Sequence, residues 1–334
     1  MSARRHRPLG PWLATLLACT MAGTAQARPV ADDCAALMAG QPRPAPVGMV
    51  PAPVPDLPRP PKGRPLLDPV HGSCIVRVTD HANEPPQGFA RHDYSRRQAF
   101  NADGSRLLVI AQDGHWHLYD ARTLEHLKVL PGLAGDAEPQ WHPTDPERLY
   151  HLPNNGVGMR LYELNVETGH AREVADLASR LRARWPRAHA AWTRSEGSPS
   201  ADGRYWAFMV DDDQWQGLGI VTYDLVEDRV LATYDFAAHG KSRPDHLSMS
   251  PSGRYVVVSW NDGPVAFTRE LTQPRPLQRT GEHSDIALTA DGDDAYVAVD
   301  YKAGDGAVFM VNLRTGQRTN LFPSYISGTA TAMH

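Results

Sequence analysis

The chain has 334 residues, with 34 Lys and Arg against 38 Asp and Glu for a formal net charge of −4, and only 3 Cys. With 41% hydrophobic and 22% charged residues, it reads as a folded globular chain and not a disordered one. The acidic balance excludes non-specific association with nucleic acid or anionic lipid, and the cysteines contain no Cys-x-x-Cys pair that would suggest a zinc ribbon.

In chain order, residues 1–27 read as an export signal. Arg4, Arg5 and Arg7 form a positive start, Trp12 to Met21 a short apolar run, and Ala25-Gln26-Ala27 a small-residue cleavage pattern. The apolar run is shorter than the roughly 20 residues that span a bilayer, so no transmembrane segment is expected. Leu16-Leu17-Ala18-Cys19 also resembles a lipoprotein box with Cys19 lipidated, but a soluble periplasmic or secreted product is the preferred reading. Removal of the segment takes away three arginines and no acid, shifting the net charge from −4 to −7. Cys34 and Cys74 then remain, and an oxidising compartment favours one disulfide between them.

Residues 28–66 read as a tail, with ten prolines between Gln41 and Leu66. Such a stretch sustains neither a helix nor a sheet ladder, so it reads as an extended linker or surface wrap. The folded domain is expected over 67–334. Its last residues, Thr329-Ala330-Thr331-Ala332-Met333-His334, look like a strand that stops without a turn, which predicts a truncated final blade.

Within the domain one unit recurs five times: a strand, a polar turn and an apolar strand. Its copies are centred on Asp103-Gly104, Thr144-Asp145, Asp202-Gly203, Ser252-Gly253 and Asp291-Gly292. The glycines supply the positive φ of tight hairpins. A third strand follows, as in Leu118-Tyr119-Asp120, Leu161-Tyr162-Glu163 and Thr222-Tyr223-Asp224, and a fourth closes the unit. The turn slots 104, 145, 203, 253 and 292 are spaced by 41, 58, 50 and 39 residues. A four-stranded unit at that period predicts an all-β fold, a β-propeller, with six or seven blades estimated for the complete protein. The segment Cys74 to Thr79 is a candidate outer strand to close the ring.

The segments Asn101-Ala102-Asp103-Gly104-Ser105-Arg106-Leu107-Leu108-Val109 and Ser250-Pro251-Ser252-Gly253-Arg254-Tyr255-Val256-Val257-Val258, with Tyr119-Asp120 and Thr123 downstream, resemble the WD40-like repeats of TolB-type propellers. The resemblance covers about residues 90–322. A narrower one is to oligogalacturonate lyases, secreted seven-bladed propellers that cleave pectin fragments with histidines and a bound divalent metal. It implies, as an alternative to plain binding, a metal-assisted lyase acting on uronate-containing oligosaccharides.

The first strand of a blade lines the channel, with alternate residues pointing in. Seven residues before each turn slot stand Arg97, Glu138, Glu196, His246 and Asp285. Nine before stand Ser95, Asp136, Arg194, Pro244 and His283. The opposite parity is mostly apolar, as Phe100, Trp141, Met249 and Leu288 show. A polar axial mouth is therefore expected, either binding a polar ligand or simply pairing its own charges. Arg97, Glu138, Arg194 and Glu196 are the candidate ligand-binding residues, and His246 the candidate catalytic base. His283 and Asp285, joined by His334, are the candidate ligands of a divalent metal, Mn or Zn. A saccharide or an envelope protein is the expected partner of a monomer.

Three other features read as less functional. His115 and His117 are expected as an exposed hairpin pair and Asp211-Asp212-Asp213 as a solvated tip. Val174 to Trp185 reads as an inserted helix, stopped by Pro186 and carrying a basic patch with Arg180, Arg182, Arg184, Arg187 and Arg194. No Gly-x-Ser-x-Gly, His-Glu-x-x-His or nucleotide-binding loop occurs, so those classes have no support.

Overall fold

A computed structural model describes residues 29–40, 55–80, 82–84, 88–280, 283–301 and 306–324. The export signal with Cys19, residues 41–54 of the proline-rich tail and His334 lie outside the described residues. A helix, α1 (Val30–Met38), precedes a two-stranded sheet of β1 (Leu66–Leu67) and β2 (Cys74–Ile75). The disulfide between Cys34 and Cys74 joins α1 to β2, as the cysteine count suggested.

Five four-stranded antiparallel sheets follow, each a meander in chain order. The first holds β3 (Ala90–Arg91), β4 (Arg106–Ala111), β5 (Trp116–Asp120) and β6 (His126–Leu130). The second holds β7 (Gln140–Trp141), β8 (Arg148–His151), β9 (Arg160–Asn165) and β10 (Ala171–Asp176). The third holds β11 (Ala188–Trp192), β12 (Tyr205–Asp212), β13 (Gly217–Asp224) and β14 (Arg229–Asp235). The fourth holds β15 (His246–Met249), β16 (Tyr255–Trp260), β17 (Gly263–Thr268) and β18 (Arg275–Pro276). The fifth holds β19 (Ser284–Leu288), β20 (Asp294–Val299), β21 (Ala307–Asn312) and β22 (Arg318–Pro323).

The sheets are propeller blades because the faces of their middle strands are apolar and successive sheets share them, on both faces in the second, third and fourth. On β16, Val256 and Val258 pack towards the third blade with Met209, Ile220 and Phe236. The residue between them, Val257, packs towards the fifth with Tyr296 and Phe309. On β12 the alternation repeats: Trp206, Phe208 and Val210 join the second blade through Leu161 and Leu177, while Ala207 and Met209 join the fourth. Two buried faces explain the near-continuous apolar runs, since no face is left for water.

The blade count differs from the expectation of six or seven: the described residues form five. Cys74–Ile75 does not close a ring as an outer blade strand. It pairs with Leu66–Leu67, and Val78 packs onto Leu107, Val109 and Tyr119 of the first blade. The N-terminal wrap thus covers the face where a further blade would have packed.

Local chemistry repeats from blade to blade. Gly104, Gly203, Gly253 and Gly292 adopt φ of 67°, 72°, 70° and 78° in the first hairpin of their blades, the left-handed region that glycine tolerates best. The acid ending the third strand caps the next turn: Asp120 accepts from the amides of Arg122 and Thr123 at 2.8 Å. It is also approached by the arginine after the first turn, in the pairs Arg106–Asp120 at 3.8 Å and Arg204–Asp224 at 2.8 Å, while in the second blade Asn165 takes the capping place.

The insert is mostly not helical. Val174 to Asp176 belong to β10, and α2 (Leu177–Leu181) is a single short turn capped by Asp176, which accepts from the Ser179 amide at 3.1 Å. The basic patch is largely neutralised: Arg180 pairs with Asp228, Arg184 with Asp235 at 3.9 Å and Arg187 with Asp212 at 3.0 Å. His117 is not an exposed hairpin residue either. It is buried, with Nδ1 3.0 Å from His126 Nε2 and Nε2 3.0 Å from Asp113. Among the described residues no helix is long and apolar enough to cross a membrane.

Candidate axial site

Strict strand alternation fails at three of the five inner segments, and these failures build the site. In the first blade the chain leaves β3, turns with the Arg97 amide donating to the Tyr94 carbonyl at 2.9 Å, and returns to β4 at Phe100. In the third blade β11 ends before Arg194 and Ser195, which have φ of 57° and 67°. In the second, Glu138 has φ 48° just before β7. Non-glycine residues in this region are uncommon and are held there by their surroundings.

The lower layer of the site is a pin. The Glu138 carboxylate is buried and accepts from the Thr193 amide at 3.0 Å, the Thr193 hydroxyl at 2.8 Å and the Ser195 amide at 2.5 Å. Burial pushes its pKa up, opposed by the nearby Arg97 charge and these donors. Arg97, also buried, donates to the carbonyls of Ser195 at 2.8 Å and Pro139 at 3.4 Å and pairs with Asp93. Two of the four residues expected from the sequence as ligand contacts thus spend their polar atoms inside the protein, holding the broken strand of the third blade.

The upper layer gathers groups from four blades around Glu196. Its Oε2 lies 3.3 Å from Arg96 Nη1, 3.2 Å from His246 Nδ1 and 3.6 Å from His283 Nδ1. The Tyr94 hydroxyl is 2.9 Å from His283 Nδ1, so inner segments of the first and fifth blades meet here. Arg194 reaches Asp245 Oδ1 at 3.1 Å, and Arg96 Nε stands 4.0 Å from Asp285. Asp245, Arg194, His283 and Asp285 are open or part-open to solvent, whereas His246 is 3% exposed.

Electrostatics follow burial. Burial holds the His246 imidazole below its ordinary pKa, against the pull of Asp245 and Glu196. Burial, followed by the Glu196 charge, pushes the Tyr94 phenol up to about 12. The hydrogen-bonding reach of His246 and the charges of His246, Arg194 and His283 hold Asp245 below the usual carboxylate range.

Of the residues expected from the sequence, Glu196, His246, Arg194, His283 and Asp285 come together at this end of the axis, and Arg97 and Glu138 lie buried in the pin. Sequence reasoning missed Tyr94, Arg96 and Asp245. The run Asp93-Tyr94-Ser95-Arg96-Arg97-Gln98, polar at both parities, was the available sign that the inner strand breaks there. Nothing comparable marked Asp245, which stands eight residues before its turn slot, on the parity that is elsewhere mostly apolar.

One donor atom each from Glu196, Asp245 and His246 lies within 4.8 Å of the others. His246 Nδ1 is buried and makes no hydrogen bond. One imidazole nitrogen and two carboxylate oxygens fit a divalent cation. Arg96 and Arg194, already on those carboxylates, are the cations it would have to displace. His283 and Asp285 are not in that trio: the first faces Tyr94 and the second Arg96.

No protein-family model matches the chain, and no curated protein matches its sequence. Solved structures do match in fold. An oligogalacturonate lyase from Vibrio parahaemolyticus is 14% identical with a TM-score of 0.54, over 77% of this chain and 71% of that one. An oligogalacturonate lyase in complex with manganese is 15% identical with a TM-score of 0.56, over the same shares. TolB from Acinetobacter baumannii is 14% identical with a TM-score of 0.41, over 68% of this chain and 54% of that one. The chain is thus a β-propeller of four-stranded blades, similar in fold to the oligogalacturonate lyases.

Proposed function

We propose that this chain is an exported binding propeller whose axial face takes a polar ligand of saccharide type. The observation that carries this reading is the pairing of charge there: Arg194 with Asp245, and Arg96 with Glu196 and Asp285. Fixed donors and acceptors side by side suit a ligand that offers both, as sugar hydroxyls do. They leave little net charge to attract a simple anion. Proton abstraction by His246 is disfavoured by its enclosure. Export rests on the leader-like segment 1–27, and the Cys34–Cys74 disulfide supports an oxidising compartment. Calorimetric titration of the full mature chain with tetragalacturonate and cellotetraose tests the reading. Binding of either, weakened about tenfold or more by Arg194→Ala, supports it. No heat with either sugar overturns it.

A second reading, a metal-assisted lyase on uronate oligosaccharides, is favoured by the Glu196, Asp245 and His246 trio. A divalent ion bound there would act as a Lewis acid towards a ligand carboxylate. Arg194, on the open side of the trio, would orient that carboxylate. Metal analysis after Mn²⁺ or Zn²⁺ loading decides: about one equivalent, lost in Glu196→Gln/His246→Ala, supports it. An unloaded wild type refutes it.

A further inference from the structure

Of the expected solvated tip at Asp211 to Asp213 only Asp213 is exposed, and the other two acids support an aromatic surface. Asp211 and Asp212 are both fully buried. Asp211 Oδ2 accepts from Trp192 Nε1 at 2.8 Å and pairs with Arg243 Nη2 at 2.9 Å. Asp212 accepts from the amides of Gln214 at 3.0 Å and Gln216 at 2.9 Å and pairs with Arg187 at 3.0 Å. Two adjacent carboxylates are expensive to bury, and Asp211 Oδ1 and Asp212 Oδ2 still lack a hydrogen bond, so this end of the β12–β13 hairpin is held at a cost by its Trp192, Arg243 and Arg187 partners.

What the carboxylates hold is Trp215. It sits at the hairpin tip with φ 60° and is 36% exposed. That backbone region suits Gly, Asn or Asp, and a bulky side chain there is strained. A hairpin closed only for stability would not place an indole in water at such a position. The ring is fixed on three sides. Trp192 lies 5.4 Å away at 55°, His189 6.4 Å away at 86°, and the Arg243 guanidinium stands 5.5 Å from Trp192 and 5.9 Å from Trp215. Gly217 keeps the hairpin down on Arg243, since a Cβ there would come within 2.8 Å of Arg243 Cβ.

The surface adjoins the axial site. Arg243 precedes Asp245 and His246 by two and three residues, and Arg194 reaches both the Pro244 carbonyl at 3.5 Å and Asp245 at 3.1 Å. Arg194 also lies close enough for its charge to act on Asp211.

We propose that Trp215, held by Trp192, His189 and Arg243, is a rigid shelf that stacks a sugar ring next to the axial site and makes the ligand an oligosaccharide. A pyranose carries a face of C–H groups that packs on an aromatic ring and a rim of hydroxyls for hydrogen bonds. The first face meets Trp215, while Arg194 and Asp245 meet the rim of the adjoining unit. A shelf fixed in advance adds affinity because little is left to order on binding. The proposal rests on the saccharide reading above, and its test separates the two.

Mono-, di- and tetragalacturonate are titrated into the full mature chain and into Trp215→Asn and Trp215→Ala variants, following heat and tryptophan fluorescence. Asn suits the positive φ, so Trp215→Asn keeps or raises the Tm while removing the ring. The wild type is expected to bind the tetramer more tightly than the monomer, with indole quenching. Both variants lose about tenfold in tetramer affinity and the quenching, and leave monomer binding unchanged. If the wild type binds the tetramer and Trp215→Asn binds it equally, the shelf is refuted and the axial reading stands. If no member of the series binds the wild type, the shelf falls, and the axial reading falls with it when cellotetraose gives no heat either.

Discussion

Replacing Glu138 by alanine tests whether the axial architecture is held by a buried charge. The substitution removes the acceptor of the Thr193 amide, the Thr193 hydroxyl and the Ser195 amide, all at 2.5–3.0 Å. A buried donor left without a partner costs about 1–3 kcal/mol, and losing the carboxylate also removes the attraction between its charge and the nearby Arg97. These overlap and do not add. Arg97 also keeps Asp93 and two carbonyls, so the expected loss is about 4 kcal/mol. At roughly 2–4 °C per kcal/mol for a domain of this size, Tm falls by about 8–16 °C. Calorimetry and urea denaturation followed by tryptophan fluorescence measure it. Glu138→Gln keeps the shape and one acceptor oxygen and should lose about half as much. A Glu138→Ala protein that melts with the wild type would refute the pin.

Other consequences follow from the same structure. Burial holds His246 and His151 below the ordinary value of 6.5, so the unfolded chain binds more protons than the folded one below that pH. Their contribution to stability is therefore complete above 6.5 and is lost on acidification, by at most about 1.4 kcal/mol per pH unit for each residue. His151→Gln should flatten the denaturation midpoint between pH 7.5 and 5.5, and an unchanged slope would sink this account. Opening the Cys34–Cys74 bridge, which spans 40 residues, should cost at most about 4 kcal/mol and expose α1 to proteolysis. Equal digestion of α1 in the oxidised and reduced protein would deny the anchor. In Gly197→Ala the new Cβ would stand 2.2 Å from the Leu247 carbonyl oxygen and 2.6 Å from Thr193 Cβ. The third and fourth blades would have to separate locally, so weaker sugar binding and a lower Tm are expected together, and wild-type values for both would contradict the packing.

The turn chemistry was readable because it is local. Gly203 and Gly253 announce positive φ from their own lack of a side chain, and the acid of Tyr119-Asp120 announces a capped turn from its own reach. Asp211 and Asp212 misled for the complementary reason. Three acids near a hairpin tip look solvated, and Asp213 is, but Arg243 and Arg187, which lie outside that hairpin, are brought onto the other two.

The sequence by itself determined that the chain builds four-stranded propeller blades and which cysteines join, and it indicated that polar residues collect near the axis. It did so because hairpin turns, alternation and cysteine pairing each depend on a few residues read in order. The five blades, the N-terminal wrap on the first of them and the membership of the axial cluster were decided only by tertiary structure. Counting by twos works while the backbone stays extended. At Glu138, Arg194 and Ser195 it enters the left-handed region, and the side chains beyond no longer keep the counted parity. Arg96 then meets Glu196 and Asp285, partners 100 and 189 residues away, through charge and burial that no short window of sequence contains.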